Sequence, residues 1–275
     1  MKLDMGRAWN DAMALLRGNQ QVVLIVAAVF FFLPNLALML LMPETMTQAE
    51  TQVAGDADFG AAIRTAGVLY QEIWWQLTLI SILSAIGMLG LLALLTDRAR
   101  PTVGEALKTG VVCLLPYIGA QLLIGFIFVA IVLVVLVVAG AAGAAAGAIV
   151  GLLAAVAAIY VLTKFSLTVP VIVIEGVMNP VRALGRSWSL TKGNSVRLFL
   201  FFVLLLLAFI VIAIVIGIAG AVVGFVVGES ATVFVSALIN ALTNMAGIML
   251  YLAVLAAVHR QLSGGSPQAL GETFE

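Results

Sequence analysis

Residues 198–228 read LFLFFVLLLLAFIVIAIVIGIAGAVVGFVVG and contain no Asp, Glu, Lys or Arg. A helix needs about 20 apolar residues to cross the hydrocarbon core of a bilayer, so this stretch predicts a transmembrane helix. Residues 18–43, 73–96 and 230–258 also lack these charged residues, and each is long enough to cross once. The same argument therefore predicts at least four membrane-spanning helices in this chain.

A further uncharged window, residues 109–163, is too long for a single crossing. It contains GAAGAAAG at residues 140–147, where we expect the chain to turn between two spans. The sequence thus predicts an all-α integral membrane protein that forms a single polytopic domain over residues 1–275. We expect its six transmembrane helices at about 20–42, 73–95, 112–139, 147–169, 198–226 and 233–258.

The composition excludes several classes of protein and of site. The chain is 64% hydrophobic and 9% charged, far below the roughly 25% charged residues of a soluble domain. Its formal net charge is zero, which argues against nucleic acid as a partner. The lone Cys113 and the lone His259 are far apart in sequence and predict neither a zinc site nor a nucleophile–base pair. We therefore expect no cofactor, no metal and no catalytic residues.

The basic residues predict the orientation in the membrane, because Lys and Arg concentrate in cytoplasmic loops. With a cytoplasmic N-terminus, only Arg64 lies outside, in a segment of about 43–72 that we expect to form an external loop. Both termini are then cytoplasmic, and residues 262–275 form a flexible cytoplasmic tail. The first apolar run is longer than a signal-peptide core and predicts a retained span. The twelve inside residues are Lys2, Arg7, Arg17, Arg98, Arg100, Lys108, Lys164, Arg182, Arg186, Lys192, Arg197 and Arg260.

Cytoplasmic segments before the first and third spans have helical periodicity of their own. Before the first, an apolar face of Met5, Trp9, Ala12 and Leu16 is predicted. Before the third, Thr102 and Glu105 match a capping box. Such basic amphipathic helices lie along the headgroup boundary and attract anionic lipid, so each predicts a short interfacial helix. Arg7, Asn10 and Arg17 are polar residues of the first helix, and Val103, Leu107 and Val111 are apolar residues of the second.

A third interfacial helix is predicted in NPVRALGRSWSLTKGN, residues 179–194. Asn179 is a suitable N-cap, Pro180 suits the first helical position and Gly193 offers a stop. The alternative is an ordinary positive loop that is helical only locally. One side is predicted to carry Val181, Leu184 and Trp188 and the other Arg182 and Arg186, and the candidate contacts to lipid headgroups or to a protein partner are Arg182, Arg186, Trp188 and Lys192.

Two glycine series at four-residue spacing predict close helix packing. The first is Gly143, Gly147 and Gly151 at the start of the fourth span. Both series fall toward the external leaflet in the predicted topology, so we expect them to face each other. A homodimer interface is the rival use of the same residues. The second series, at the end of the fifth span, is Gly220, Gly224 and Gly228.

Polar residues within the spans leave two interpretations open. Asn240, Thr243 and Asn244 form a candidate cluster in the sixth span, either as hydrogen-bonding contacts between helices or as part of a translocation path. Lys164 lies near a span end, where a lysine usually extends to the headgroups, or, if the fourth span continues to Glu175, inside the bilayer as an ion site. Pro170 is expected to end or kink the fourth span, as Pro34 kinks the first.

The run YVLTKFSLTVPVIVIEGVMNPVRALGRSWSLTKGNSVRLFL, residues 160–200, resembles the membrane domain found in some glycerophosphodiester phosphodiesterases and in related bacterial inner-membrane proteins. The resemblance implies a bacterial cytoplasmic-membrane location. It does not bring the enzyme, whose soluble barrel uses His and acidic residues around a metal. The matching residues are Lys164, Ser166, Pro170, Glu175, Ala183, Leu184, Arg186, Ser187, Trp188, Leu190, Thr191, Lys192 and Gly193.

Two functions fit these residues. The first is a non-catalytic inner-membrane module, a scaffold or accessory subunit, associated with anionic lipids and with a protein partner or a second copy of itself. The second is a transporter or flippase of a small amphiphile. An intramembrane enzyme is disfavoured, because the nominal dyad of Ser166 and Lys164 is two residues apart and would point to different helix faces.

Overall fold

A computed structural model describes residues 2–18, 20–41, 59–96, 102–227 and 229–264. These residues are almost entirely helical and contain no β-strand, which confirms the all-α prediction. The helices are α1 (Met5–Gly18), α2 (Gln20–Ala27), a π-helical segment (Ala28–Phe32), α3 (Leu33–Leu41), α4 (Phe59–Thr96), α5 (Val103–Ala142), α6 (Ala144–Phe165), α7 (Thr168–Ile174), α8 (Pro180–Leu190), α9 (Ser195–Val227) and α10 (Glu229–Leu262).

Six helical segments of the described chain are long and apolar enough to cross a membrane. This confirms the predicted number of spans. Part of the predicted external loop is helical instead, because α4 already begins at Phe59. Residues 43–58 of that loop and 265–275 of the tail lie outside the described residues. The segments are Gln20–Leu40, Trp74–Thr96, Val103–Ala142, Ala145–Ile174, Ser195–Gly220 and Thr232–Leu262.

Both prolines near predicted kinks lie just after an irregularity. Pro34 follows the π-helical segment, which includes Phe30. In a regular α-helix the Pro34 ring would clash with the Phe30 carbonyl, because the two residues are four apart. Pro170 lies inside the first turn of α7, and the helix breaks before it, at Ser166 and Leu167. The break falls there because a continuous helix would push the proline ring against the Ser166 carbonyl.

The second predicted interfacial helix is not a separate element. The Thr102 side chain accepts a hydrogen bond from the Glu105 backbone N–H, and the Glu105 side chain accepts one from the Thr102 N–H, which confirms the capping box. The helix that begins there runs on without interruption to Ala142. No positive-φ glycine interrupts it, so the segment forms the first turns of the third span.

The apolar faces of α1 and α8 pack on protein. Ala8 and Ala12 of α1 are fully buried, and α1 lies against α10, while Trp9 is 40% exposed. Four residues of α8 are buried, two of them small: Ala183, Leu184, Ser187 and Leu190.

The predicted apolar face of α8 is divided between the protein interior and the outside of the bundle, and its contact with lipid headgroups stays a prediction. Leu184 is buried, but Val181 is 66% exposed and Trp188 is 39% exposed. Ala183 and Ser187 take the inward face because their small side chains allow α8 to approach α6 and α7 closely. The three confirmed local signals are Asn179 as N-cap, Pro180 at the first position and Gly193 at φ +81°.

The predicted contact between the two glycine series is also wrong. A Cβ at Gly147 would lie 2.5 Å from Ala139 Cβ, and one at Gly151 would lie 3.8 Å from Val135, both on α5. Gly143, at φ +87°, forms the turn itself, so it holds α5 and α6 together as antiparallel neighbours. A Cβ at Gly220 would instead meet Ile239 of α10 at 3.1 Å. Gly224 lies on α9, and Gly228 lies outside the described residues.

Candidate functional site

An ion-pair cluster joins three elements at the end of the bundle that carries both termini. Glu175 follows α7 directly, and Gly176 at φ +68° turns the chain away behind it. Arg186 of α8 donates from Nε to Glu175 Oε2 at 2.8 Å. His259 of α10 has its Nε2 3.0 Å from Oε1. Because an ionised carboxylate can only accept, Nε2 of His259 carries the proton in this contact.

The surroundings of Glu175 favour its ionised form. Burial acts to raise its pKa, but the hydrogen bonds from Arg186 and His259 and their positive charge outweigh burial, so the pKa of Glu175 is lowered. The carboxylate is 22% exposed and the Arg186 side chain 46% exposed, whereas the His259 side chain is 4% exposed. The cluster therefore anchors a buried imidazole at one side and opens to solvent at the other.

The end of α6 is fixed to α8 through one backbone carbonyl. Ser187 Oγ donates to the Lys164 carbonyl oxygen at 2.8 Å, in a buried contact. The carbonyls of the last helical turn lack partners within their own helix, so a hydroxyl from a neighbouring helix can satisfy one of them. The Thr191 hydroxyl, also buried, lies 3.5 Å from the same oxygen, while its single proton has a closer acceptor in the Ser187 carbonyl at 3.0 Å.

The Lys164 side chain lies against aromatic rings. Its residue is 3% exposed, and its ammonium lies 5.5 Å from the Tyr160 ring centroid and 5.2 Å from that of Trp188. The Tyr160 and Trp188 rings meet edge to face at 5.7 Å, and Phe165 contacts Trp188 at the same distance. Among the described residues, Lys164 forms no ion pair and its ammonium no hydrogen bond.

The N-terminal segment is tied to the same end. The Leu3 backbone N–H donates to Asn194 Oδ1 at 2.8 Å, in a buried contact. Gln261 of α10 exchanges two hydrogen bonds of 3.3 Å with the backbone of Asp4. Arg260 pairs with Asp11 of α1 at 2.8 Å. These contacts close α1 over the end of α10.

A cavity of about 770 Å³ lies between α5, α6, α9 and α10. This volume is within the roughly 300–1,000 Å³ range of small-molecule sites. Its lining is mostly apolar, with phenylalanines from α9 facing hydroxyl and amide groups from the other helices. Among the described residues, no charged side chain lines it. The polar lining residues are Tyr117, Gln121, Thr163, Ser166, Thr168, Asn244 and Tyr251.

The polar cluster predicted in the sixth span is divided by the fold. Asn244 lines the cavity, whereas Asn240 and Thr243 do not, and Asn240 is exposed on the surface of α10. Within the described part of the chain, neither asparagine side chain forms a hydrogen bond to another helix. The interpretation of this cluster as interhelical contacts is therefore not supported, and Asn244 remains as a cavity residue.

The predicted headgroup contacts also separate. Arg182 is exposed, while Arg186 is bound to Glu175. The Trp188 ring lies against the Lys164 ammonium. Lys192 is exposed in the turn that follows α8. Sequence reasoning missed the part played by His259, which lies 84 residues from Glu175 along the chain. The signal available was an isolated histidine at the end of a span, with an acidic residue at the end of another.

Comparison with known families finds a match in the second half of the chain. Residues 142–262 match the family model described as the membrane domain of glycerophosphoryl diester phosphodiesterase. The match covers less than half of the chain and runs from the turn before α6 to the end of α10. It confirms the resemblance found in the sequence and extends it beyond residues 160–200. No curated protein and no solved structure matches the chain significantly.

Proposed function

We propose that the chain is a non-catalytic membrane module that holds a lipid-like amphiphile in the cavity between α5, α6, α9 and α10. It acts as a scaffold or accessory subunit in the bacterial cytoplasmic membrane, with both termini in the cytoplasm. The family match supports a membrane module, since it concerns the membrane part of a phosphodiesterase and not its catalytic part. The cavity is the observation that carries the proposal.

The lining of the cavity favours an uncharged, mostly apolar guest. A charged group would need a partner once it left water, and no charged side chain of the described segments lines the cavity to supply one. Phe199, Phe202 and Phe209 of α9 offer ring surface to a hydrocarbon chain. The guest therefore has a long apolar part within the cavity, as the acyl chain of a lipid has.

The polar groups of the cavity favour an ester or a hydroxyl on that guest. Thr163, Ser166 and Thr168 donate their hydroxyl protons to carbonyls of their own chain, at 2.9, 2.9 and 2.7 Å. Their oxygens keep lone pairs that can accept a hydrogen bond from a hydroxyl. The Asn244 amide can donate as well as accept, which suits a carbonyl oxygen.

Native mass spectrometry of protein extracted gently from its own membrane tests this proposal. We expect one amphiphile to be retained at about one copy per chain. Val203→Trp places a large ring in the cavity lining and is expected to abolish retention, whereas Val215→Trp is the matched control on the same helix, at a 61% exposed position. Equal retention in both variants would contradict the proposal.

The proposed topology has its own test. A cysteine introduced at Glu50 is expected to react with an impermeant thiol reagent in intact cells, and one introduced at Ser266 is expected not to react. Cys113 is buried and serves as the internal background. The opposite labelling pattern would reverse the orientation.

Transport or flipping of a small amphiphile is the second candidate, and the position of Asn244 favours it. If the guest moves through the cavity, the Asn244 amide is the polar contact that it passes. Asn244→Leu is then expected to abolish flipping of a fluorescent lipid in proteoliposomes, while Asn240→Leu, at an exposed position outside the cavity, leaves the rate unchanged. If both variants keep the wild-type rate, the module holds lipid without moving it.

A further inference from the structure

The Lys164 side chain presents a charge problem that the fold does not solve by itself. A buried cation is costly unless a carboxylate or several hydrogen-bond acceptors compensate it. The Lys164 residue is 3% exposed, and its ammonium, which keeps some contact with solvent, has neither among the described residues. The nearest acidic group along the chain, Glu175, is already bound to Arg186 and His259.

The aromatic rings compensate Lys164 only in part. An ammonium over a ring face gains roughly 0.5–2 kcal/mol, less than an ion pair with full hydrogen bonding would give a buried charge. A second cation adds to the problem, because Lys192 repels Lys164 electrostatically. Both lysines are positive, and no carboxylate of the described chain pairs with either of them.

The backbone around Lys164 is held in place. Ser187 and Thr191 both reach its carbonyl oxygen, so α8 and the end of α6 form one unit at this point. Tyr160 and Trp188, which are 47% and 39% exposed, form the outer wall around the ammonium. Tyrosine and tryptophan are the residues that concentrate at the level of lipid headgroups.

We propose that Lys164, Lys192 and Trp188 form a binding site for a phosphate group carried by a membrane lipid. The phosphate oxygens supply the acceptors that the Lys164 ammonium lacks, and Lys192 contributes a second charge from the exposed edge. The glycerol and the start of the acyl chains lie along the Tyr160 and Trp188 rings.

This site adjoins the cavity but does not share its lining. Lys164, Tyr160 and Trp188 do not line the cavity, whereas Phe165, which contacts Trp188, does. The inference deepens the proposed association with lipids. Its failure is distinguishable from that of the cavity because the two sites are tested with different variants and different lipids.

The test compares two lipids with the purified full-length protein in neutral detergent. Native mass spectrometry measures the binding of phosphatidylglycerol and of diacylglycerol, which lacks the phosphate. We expect wild-type protein to prefer phosphatidylglycerol by about tenfold or more, as a charged hydrogen-bonded contact allows. Lys164→Met, which keeps the apolar stem, is expected to remove that preference.

Two variants control this experiment. Arg182→Gln removes a positive charge at an exposed position of the same region and is expected to keep the preference within about twofold. Lys192→Gln alters only an exposed side chain, so it folds even if Lys164→Met does not, and it is expected to weaken the preference by several-fold. Val203→Trp blocks the cavity and is expected to leave the preference intact.

Inorganic phosphate distinguishes the two sources of this anion. If millimolar phosphate displaces phosphatidylglycerol from wild-type protein, the site also accepts free phosphate; if it does not, the lipid chains are required. Either result supports a phosphate site at Lys164. Equal binding of the two lipids by wild-type protein, or an unchanged preference in Lys164→Met, would overturn it.

Discussion

At the end of the bundle that carries both termini, leucines of α4 and α10 are fully buried. Polar contacts there tie the start of the chain to the end of α10 and to Asn194 before α9, and they tie Glu175 after α7 to both α8 and α10. At the other end, Gly143 turns α5 into α6 and the side chains around it point outward, with Leu136 60% and Val137 68% exposed. In a bilayer those outward side chains meet lipid, which removes the need to bury them against protein.

The difference between these ends suggests that stability and guest binding depend on different parts of the molecule. At the end that carries both termini, charged and hydrogen-bonding side chains hold helices together. Glu175, which follows α7, contacts both α8 and α10 there. The cavity begins just beyond that fixed end, at Ser166 and Thr168, and extends along the less packed helices. Changes at the fixed end should therefore alter stability, and changes along the cavity should alter retention of a guest.

The largest effect on stability is expected from Gly110→Ala at the closest crossing of α4 and α5. A Cβ there would lie 2.6 Å from the Ile86 carbonyl oxygen, a backbone atom that cannot rotate away. Such overpacking costs about 1–3 kcal/mol of the free energy of unfolding, measured by thermal or denaturant unfolding in detergent.

Gly125→Ala is the control for that substitution, on the same helix and with no heavy atom within 4 Å of the new Cβ. Because alanine favours a helix over glycine, it is expected to be neutral or to stabilise by roughly 0.5–1 kcal/mol. Equal destabilisation by both variants would show that α5 does not cross α4 at Gly110.

A smaller loss is expected from Glu175→Gln, which removes the charged acceptor shared by Arg186 and His259. Hydrogen bonds to charged groups contribute about 1.5–3 kcal/mol each, and the exposure of Arg186 reduces its share. We expect a loss of about 1–2 kcal/mol in the free energy of unfolding. Arg182→Gln is the control, and if it costs as much as Glu175→Gln, the cluster does not hold α8.

Acid should reproduce part of the Glu175→Gln effect in wild-type protein. Because the pKa of Glu175 is lowered in the folded state, its contribution is fully present above the pKa of the unfolded chain and is lost as pH falls through the folded pKa. Unfolding midpoints measured from pH 6 down to pH 3 should fall for wild-type protein. In Glu175→Gln that part of the pH dependence should be absent, and an unchanged slope would exclude this carboxylate as its source.

The smallest effect is expected at Gly151 of α6, one turn beyond the close contact that Gly147 makes with α5. Gly151→Ala adds a Cβ at an ordinary contact distance of 3.8 Å and is expected to change the free energy of unfolding by less than about 0.5 kcal/mol. Gly147→Ala meets Ala139 at 2.5 Å and is expected to cost more. If both were neutral, α5 and α6 would not pack against each other at this turn.

Several features of this fold follow directly from local sequence. Uncharged runs located all six spans, because a charged side chain at the bilayer centre is costly. The caps at Thr102 and Asn179 and the turns at Gly143 and Gly193 were predictable, since each depends on residues within a few positions. Local sequence patterns did not predict which helices pack against each other or through which faces.

The errors share a physical cause. The two glycine series were expected to meet, but the tight turn at Gly143 forces α6 onto α5, and a spacing pattern carries no information about partners. The inward positions of Ala183 and Ser187 on α8 were not predicted, because small residues can take an inward face that hydrophobicity assigns to larger ones. His259 was set aside because its partner Glu175 is remote in sequence.

Photo-crosslinking with a lipid that carries a diazirine in its acyl chain tests the central claim most directly. The lipid is fed to cells that produce the wild-type protein, and the adducts are located by peptide mapping after irradiation. The account predicts that adducts concentrate on cavity residues such as Ile124, Phe202 and Asn244. Adducts spread evenly over outward positions such as Val137 and Val215, with none enriched in the cavity, would contradict it.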